Sequence, residues 1–166
     1  MILKIALDLP GDGTYLRIAR RIGHTLMEDL GVVSQDITDI EFIIGELCTN
    51  VVRHAQTSKD SRFTVTLEYH ADRVAIIVED TGIGFFEGDV SIVGSVRPDR
   101  DGTKRLGGFG LELIRLMADH IEFRHTDPHG ATVVAEKTLH FNSPAEARQA
   151  EALANHPGGE VRVSAS

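Results

Sequence analysis

GELCTNVVRHA, residues 45–55, places Glu46, Asn50 and His54 at i, i+4 and i+8. On a helix these three share one face, next to an apolar stripe. The stripe is Ile37, Ile40, Ile44, Leu47 and Val51, and its spacing predicts a long helix running from a cap at Ser34 to about Ala55. Read alone, the polar face is a solvated helix surface. The chain on either side decides whether it is more.

Upstream, Leu3, Ile5, Leu7 and Leu9 alternate with polar or small residues, the period of a half-buried strand, which Pro10-Gly11-Asp12-Gly13 ends. Leu16, Ala19, Ile22, Leu26 and Leu30 then repeat at three and four, an amphipathic helix with Gly31 as its stop. Downstream, Phe63, Val65, Leu67 and Tyr69 alternate with polar residues. HADR is a short turn, and VAIIVED is a more buried strand, so the pair predicts a hairpin.

That second strand runs into a second cluster, Asp80-Thr81-Gly82-Ile83-Gly84. Asp and Gly favour turns, and a plain turn is the simplest reading. The other is that the glycines let backbone approach a flat ligand while Asp80 accepts its hydrogen bonds. Residues 85–107 have no sustained period, and a segment of this kind is usually functional or mobile. Phe85 and Phe86 there read first as packing at the strand end. A third cluster follows: Gly107, Gly108 and Gly110 precede or open an apolar helix over 109–119. Free N–H groups at a helix start bind phosphate. This is not a Walker A loop, because no Gly-Lys-Ser/Thr follows, and the spacing fails the Rossmann fingerprint. HIEFRH and ATVVAEK predict a last hairpin. Hairpins mixed with helices imply an α+β fold, a two-layer sandwich with a mainly antiparallel sheet and helices on one face.

Composition limits the alternatives. The chain has 166 residues, enough for one domain with a substantial core, and its 42% hydrophobic and 25% charged content is ordinary for a globular protein. No apolar run approaches the roughly 20 residues of a membrane span, and the N-terminus does not read as a signal peptide. Cys48 is the single cysteine, which fits a cytoplasmic setting. A net charge of −8 argues against direct nucleic-acid or membrane-surface binding. Arg17, Arg20 and Arg21 cluster on the first helix. A solvated face is the default reading there, and a docking surface for an acidic partner the alternative. Beyond Phe141 the character changes. Ser143, Pro144 and Glu146 form a capping box opening a short, alanine-rich helix, and HPGGEVRVSAS is expected to be disordered. The domain is therefore drawn at 1–141 and the tail at 142–166.

Glu-x-x-x-Asn-x-x-x-His, Asp-x-Gly-x-Gly, a long glycine-rich loop and then Gly-x-Gly-Leu opening a helix, in that order, are far more specific than any one of them. Over about residues 1–138 the sequence resembles the GHKL ATPases, the Bergerat fold shared by gyrase, MutL and histidine kinases. Within them it is most similar to the anti-sigma-factor serine kinases of the RsbW and SpoIIAB type. The resemblance implies ATP and Mg²⁺. It makes Asn50 the Mg²⁺ ligand and Glu46 the general base. Asp80 would take the adenine amino group, with Gly82 and Gly84 shaping that pocket. Gly108, Phe109, Gly110 and Leu111 would form the phosphate-cradling turn, and Thr132 would stand beside Asp80. Arg53 and His54 would flank the phosphates. The loop 85–107 would be the ATP lid, with Arg97, Arg100, Lys104 and Arg105 in it and Lys104 or Arg105 reaching the γ-phosphate.

The function so implied is an anti-sigma factor and protein-serine/threonine kinase that phosphorylates an anti-anti-sigma (STAS-type) antagonist and so switches partners, with a homodimer expected. One alternative is the ATP-binding part of a histidine-kinase-like phosphorelay. The residues before Glu46 are taken up by a strand and a helix, so its phospho-accepting histidine is expected on another chain. A non-catalytic ATP-binding regulatory module is the other, and the pairing of Glu46 with Asn50 argues against it.

Overall fold

A computed structural model describes residues 3–54, 61–80, 96–98, 104–106, 109–125, 130–154 and 158–164. The element order is β1 (Leu3–Pro10), a 3₁₀ turn (Gly13–Tyr15), α1 (Leu16–Asp29), α2 (Ser34–His54), β2 (Arg62–Tyr69) and β3 (Arg73–Asp80). It continues with β4 (Val96–Pro98), β5 (Lys104–Leu106), α3 (Phe109–Met117), β6 (His120–His125), β7 (Ala131–Thr138), α4 (Pro144–Ala154) and β8 (Gly159–Ser164). The alternating and 3.6-period patterns thus become the expected strands and helices. The lid segment differs: β4 and β5 pair as a small separate hairpin within it.

The main sheet has the order β6-β7-β3-β2-β1-β8, antiparallel throughout except for the parallel pair β1–β8. Its register aligns Leu7, Val65, Val78, Val133 and Phe123 in one row across five strands. All five belong to, or pack against, the hydrophobic core, together with Ile40, Ile44 and Leu47 of α2 and Leu111 and Ile114 of α3. Burying these side chains supplies the main drive for folding, each worth roughly 1.5–3 kcal/mol before entropy is counted. α1 packs on α2 at Gly23, where a Cβ would come within 2.5 Å of Ile44 Cδ1, so the missing side chain sets how closely the helices approach.

α1 stops as expected. Gly31 has φ +75°, its N–H donates to Glu28 O at 2.9 Å, and Val32 N–H donates to Met27 O at 3.0 Å. These two bonds close a Schellman turn, whose left-handed residue favours glycine.

The expectation of a disordered tail needs correction at Gly159–Ser164, which form β8. Phe141 bridges to Val32, and the Asn142 amide donates to Gly31 O and Val32 O at 3.0 and 3.2 Å. Ser143 and Glu146 form the predicted capping box, but α4 buries Ala150 and lays Glu146 against Gly31. The chain then returns as β8 along β1. The tail is therefore stitched to the α1–α2 turn and widens the sheet.

A buried polar network fastens the same end. Asp36 accepts from the His140 backbone N–H at 2.7 Å, and Lys137 Nζ lies 2.9 Å from Asp39 Oδ2 and 3.8 Å from Asp36 Oδ1. It ties the start of α2 to the end of β7. The paired, hydrogen-bonded carboxylates offset the cost of removing them from water.

Candidate nucleotide site

The second row of the core-facing side reads Leu9, Phe63, Asp80, Ala131, His125. Asp80 thus stands on the face covered by the helices, at the end of its strand, and is only 6% exposed. Alternation dictates this: Val74, Ile76 and Val78 are its predecessors on that face. A carboxylate so placed is an acceptor at the lip of an otherwise apolar layer.

α2 crosses this face and touches β3. Its core stripe fixes the helix rotation, and that rotation leaves Glu46 and Asn50, one turn apart, half-buried at its margin. Arg53 follows one turn later, exposed, and His54 ends the helix. α3 approaches the same margin. A Cβ on Gly110 would overlap Glu46 Oε2, so the start of α3 rests directly against the Glu46 carboxylate. Phe109 is the first residue of α3, and Leu111 is buried in the core, where its side chain anchors the helix.

On the core side of α2, burial pushes the Cys48 thiol up to about 12, against a smaller opposing effect of the Arg20 charge. Arg20 itself lies against Gly45, where its guanidinium occupies the space a Cβ would need. The arginine cluster is thus divided in use, Arg20 on α2 and Arg21 on the wall of a groove toward β1.

Thr132 is not beside Asp80. The register pairs Asp80 with Ala131 and Glu79 with Thr132. Thr132 therefore projects from the opposite face of the sheet, in a row with Glu79 and Arg124. Lys104 and Arg105 lie on β5, and Arg97 on β4. Gly82, Gly84, Gly108, Phe85, Phe86 and Arg100 fall outside the described residues. Among the described residues no group of three His, Cys, Asp or Glu side chains forms a metal site. A Mg²⁺ ion carried on nucleotide phosphates needs few protein oxygens, and the Asn50 amide at the half-buried margin fits that requirement. No helix among the described residues is long and apolar enough to cross a membrane.

Sequence comparison decides the lineage. The model of the histidine kinase-like ATPase domain matches residues 9–137. The chain belongs to this family. Among curated proteins it is similar to the serine-protein kinase RsbW of Bacillus cereus (strain G9842), 30% identical over 141 residues, 82% of this chain and 85% of that protein. RsbW of Bacillus mycoides (strain KBAB4) is 31% identical over 139 residues, with the same coverages. In fold it resembles the RsbU and RsbW domains of Rv1364c from Mycobacterium tuberculosis, with a TM-score of 0.59 and 18% identity. That match covers 82% of this chain and 32% of the mycobacterial one. It also resembles a chain of the SiaB–SiaC complex from Pseudomonas aeruginosa, with a TM-score of 0.55 and 9% identity, covering 80% and 88%. The α+β sandwich is thus the GHKL ATPase fold, and the family implies ATP as its nucleotide. The matched segment ends before α4 and β8.

Proposed function

We propose that this protein is an ATP- and Mg²⁺-dependent protein-serine/threonine kinase of the anti-sigma type. Its substrate is a small STAS-type antagonist protein, its other partner a sigma factor, and its working form a cytoplasmic homodimer. The observation that carries the reading is the contact of Gly110 with Glu46, which brings the acid of α2 to the glycine-rich start of α3. The naming of its similar relatives as serine-protein kinases supports the choice of acceptor.

In this reading Asp80 accepts from the adenine amino group at the lip of the core, and Gly82 and Gly84 leave room for the base. The N-terminal end of α3, Phe109 to Leu111, presents backbone N–H groups to the phosphates, and Gly108 before it completes the turn that the family resemblance implies. Mg²⁺, when bound with the nucleotide, neutralises phosphate charge. Asn50 supplies an oxygen toward it, and Arg53, His54, Lys104 and Arg105 add donors around the phosphates. Glu46 takes the proton of a serine hydroxyl as that oxygen bonds to the γ-phosphorus and the bond to ADP breaks. Phosphoryl transfer asks the protein chiefly for positioning and charge stabilisation.

The test is incubation with labelled ATP, Mg²⁺ and candidate antagonist proteins from the same genome. Serine- or threonine-linked label on the antagonist is expected. Acid-labile phosphohistidine would instead place the chain in a phosphorelay, and absence of ATP binding in calorimetry would make it a non-catalytic module.

A further inference from the structure

α3 is apolar on two sides. Leu111 and Ile114, three residues apart, face inward and are buried in the core. Leu113 and Leu116, also three apart, share another side, with Leu113 37% and Leu116 81% exposed. At 3.6 residues per turn Leu116 stands almost opposite Leu111 and Ile114. Among the described residues it is the most exposed of the large apolar side chains. Folding of this chain does not account for a leucine there. The outward position of a surface helix is ordinarily polar, and a helix that is apolar all round is one covered on both sides. A lone exposed leucine is unremarkable, but two on one side of a helix form a ledge.

On the kinase reading above, we propose that Leu113 and Leu116 form the ledge on which the acceptor protein docks, beside the point where its hydroxyl meets Glu46. The placement of α3 selects that occupant. Gly110 touches the Glu46 carboxylate, and Leu113 and Leu116 follow it by about 4.5 and 9 Å along the helix axis. A specific protein interface covers about 800 Å² on each partner, a disc of roughly 16 Å radius. A protein that delivers a hydroxyl to Glu46 thus has the ledge within its footprint. Charge favours the same partner. Arg97, Arg100, Lys104 and Arg105 lie in the segment that leads into α3, in a chain of net charge −8. The end of β5, Leu106, is three residues from Phe109, at most about 11 Å of chain. Acidic side chains of the acceptor meet this basic segment where its apolar side chains meet the leucines. The acceptor so described carries an apolar side chain and acidic groups on the surface around its serine or threonine.

Steady-state transfer of labelled phosphate from ATP to the antagonist protein, with the antagonist concentration varied, tests the ledge. Calorimetry with ATP and thermal unfolding accompany it. Leu116 is so exposed that its replacement leaves the core intact. Leu116→Ser is expected to raise KM for the antagonist roughly tenfold, the scale of burying one leucine. Its kcat and ATP affinity should stay within about twofold of wild type, the split that marks a lost docking contact rather than a lost catalytic one. Leu113→Ser should act in the same direction. Leu116→Met keeps an apolar side chain and should keep the wild-type KM. An unchanged KM in Leu116→Ser, a loss confined to kcat or ATP affinity, or a Leu116→Met variant as defective as Leu116→Ser would each overturn the proposal. So would a changed oligomeric state of Leu116→Ser in sedimentation with KM unchanged, which would give the ledge to a second copy of this chain. In all of these the wild type still labels the antagonist. A wild type that labels none overturns the kinase reading and the ledge with it.

Discussion

Gly110, the second residue of α3, approaches Glu46 of α2 so closely that any side chain at position 110 would overlap the glutamate carboxylate. The atom in the way is the end of a flexible side chain, so an alanine there displaces the carboxylate rather than the helices. Alanine also favours a helix over glycine by about 1 kcal/mol. Gly110→Ala is therefore expected to keep or slightly raise the melting temperature while lowering phosphoryl transfer about a hundredfold, the usual scale of a misplaced catalytic group. Thermal unfolding and a single-turnover transfer assay on the same preparation separate the two effects.

Asp80→Asn keeps the size of the side chain at the end of the core row but replaces a carboxylate oxygen by an amide nitrogen. A hydrogen bond to a charged group is worth about 1.5–3 kcal/mol. ATP affinity measured by calorimetry should fall roughly tenfold to a hundredfold, with the circular dichroism spectrum unchanged.

The Cys48 thiol ordinarily titrates at 9.0, and burial raises it to about 12 in the folded protein. The folded state thus favours the protonated thiol. Its contribution to stability is complete below pH 9 and is lost as pH rises from there through about 12. Burial also raises the Tyr69 hydroxyl, so Cys48 accounts for only part of the alkaline loss. Denaturant titrations should show a fall between pH 9 and 12 that is shallower in Cys48→Ala, by at most ~1.4 kcal/mol per pH unit. Thiol reagents should leave native Cys48 unmodified at neutral pH and label it on unfolding.

Asn142 holds the tail to the α1–α2 turn through Gly31 O and Val32 O. Asn142→Ala leaves those part-buried carbonyls without the amide and should cost about 1–3 kcal/mol in urea denaturation. Removal of residues 158–166 should cost far less, because β8 is exposed along its whole length.

The strands and helices of residues 3–138 other than β4 and β5 were legible because each carries a clear period. The Gly31 stop and the Ser143 capping box were legible because their chemistry is local. What escaped was set by long-range pairing. Thr132 follows the glycine that precedes β7 by two positions, and no sequence pattern fixes which of Ala131 and Thr132 meets Asp80. A shift of one residue in register changes the face. β8 escaped because Val161 and Val163 alternate over too few residues to stand out behind Pro157-Gly158-Gly159. The Asp36, Asp39 and Lys137 network joins residues about a hundred positions apart, beyond the reach of any local pattern. At the site, Glu46 and Asn50 were visible as a helical stripe, while the contact with Gly110 required the packing of α3.

The central claim is that Glu46 acts on the acceptor hydroxyl and is not needed to hold the nucleotide. It is tested most directly by comparing Glu46→Gln with the wild type in two assays, calorimetric ATP binding and transfer of labelled phosphate to the antagonist. Binding within a few-fold of wild type together with transfer reduced by about a hundredfold or more is the predicted result. Undiminished transfer by Glu46→Gln would contradict it.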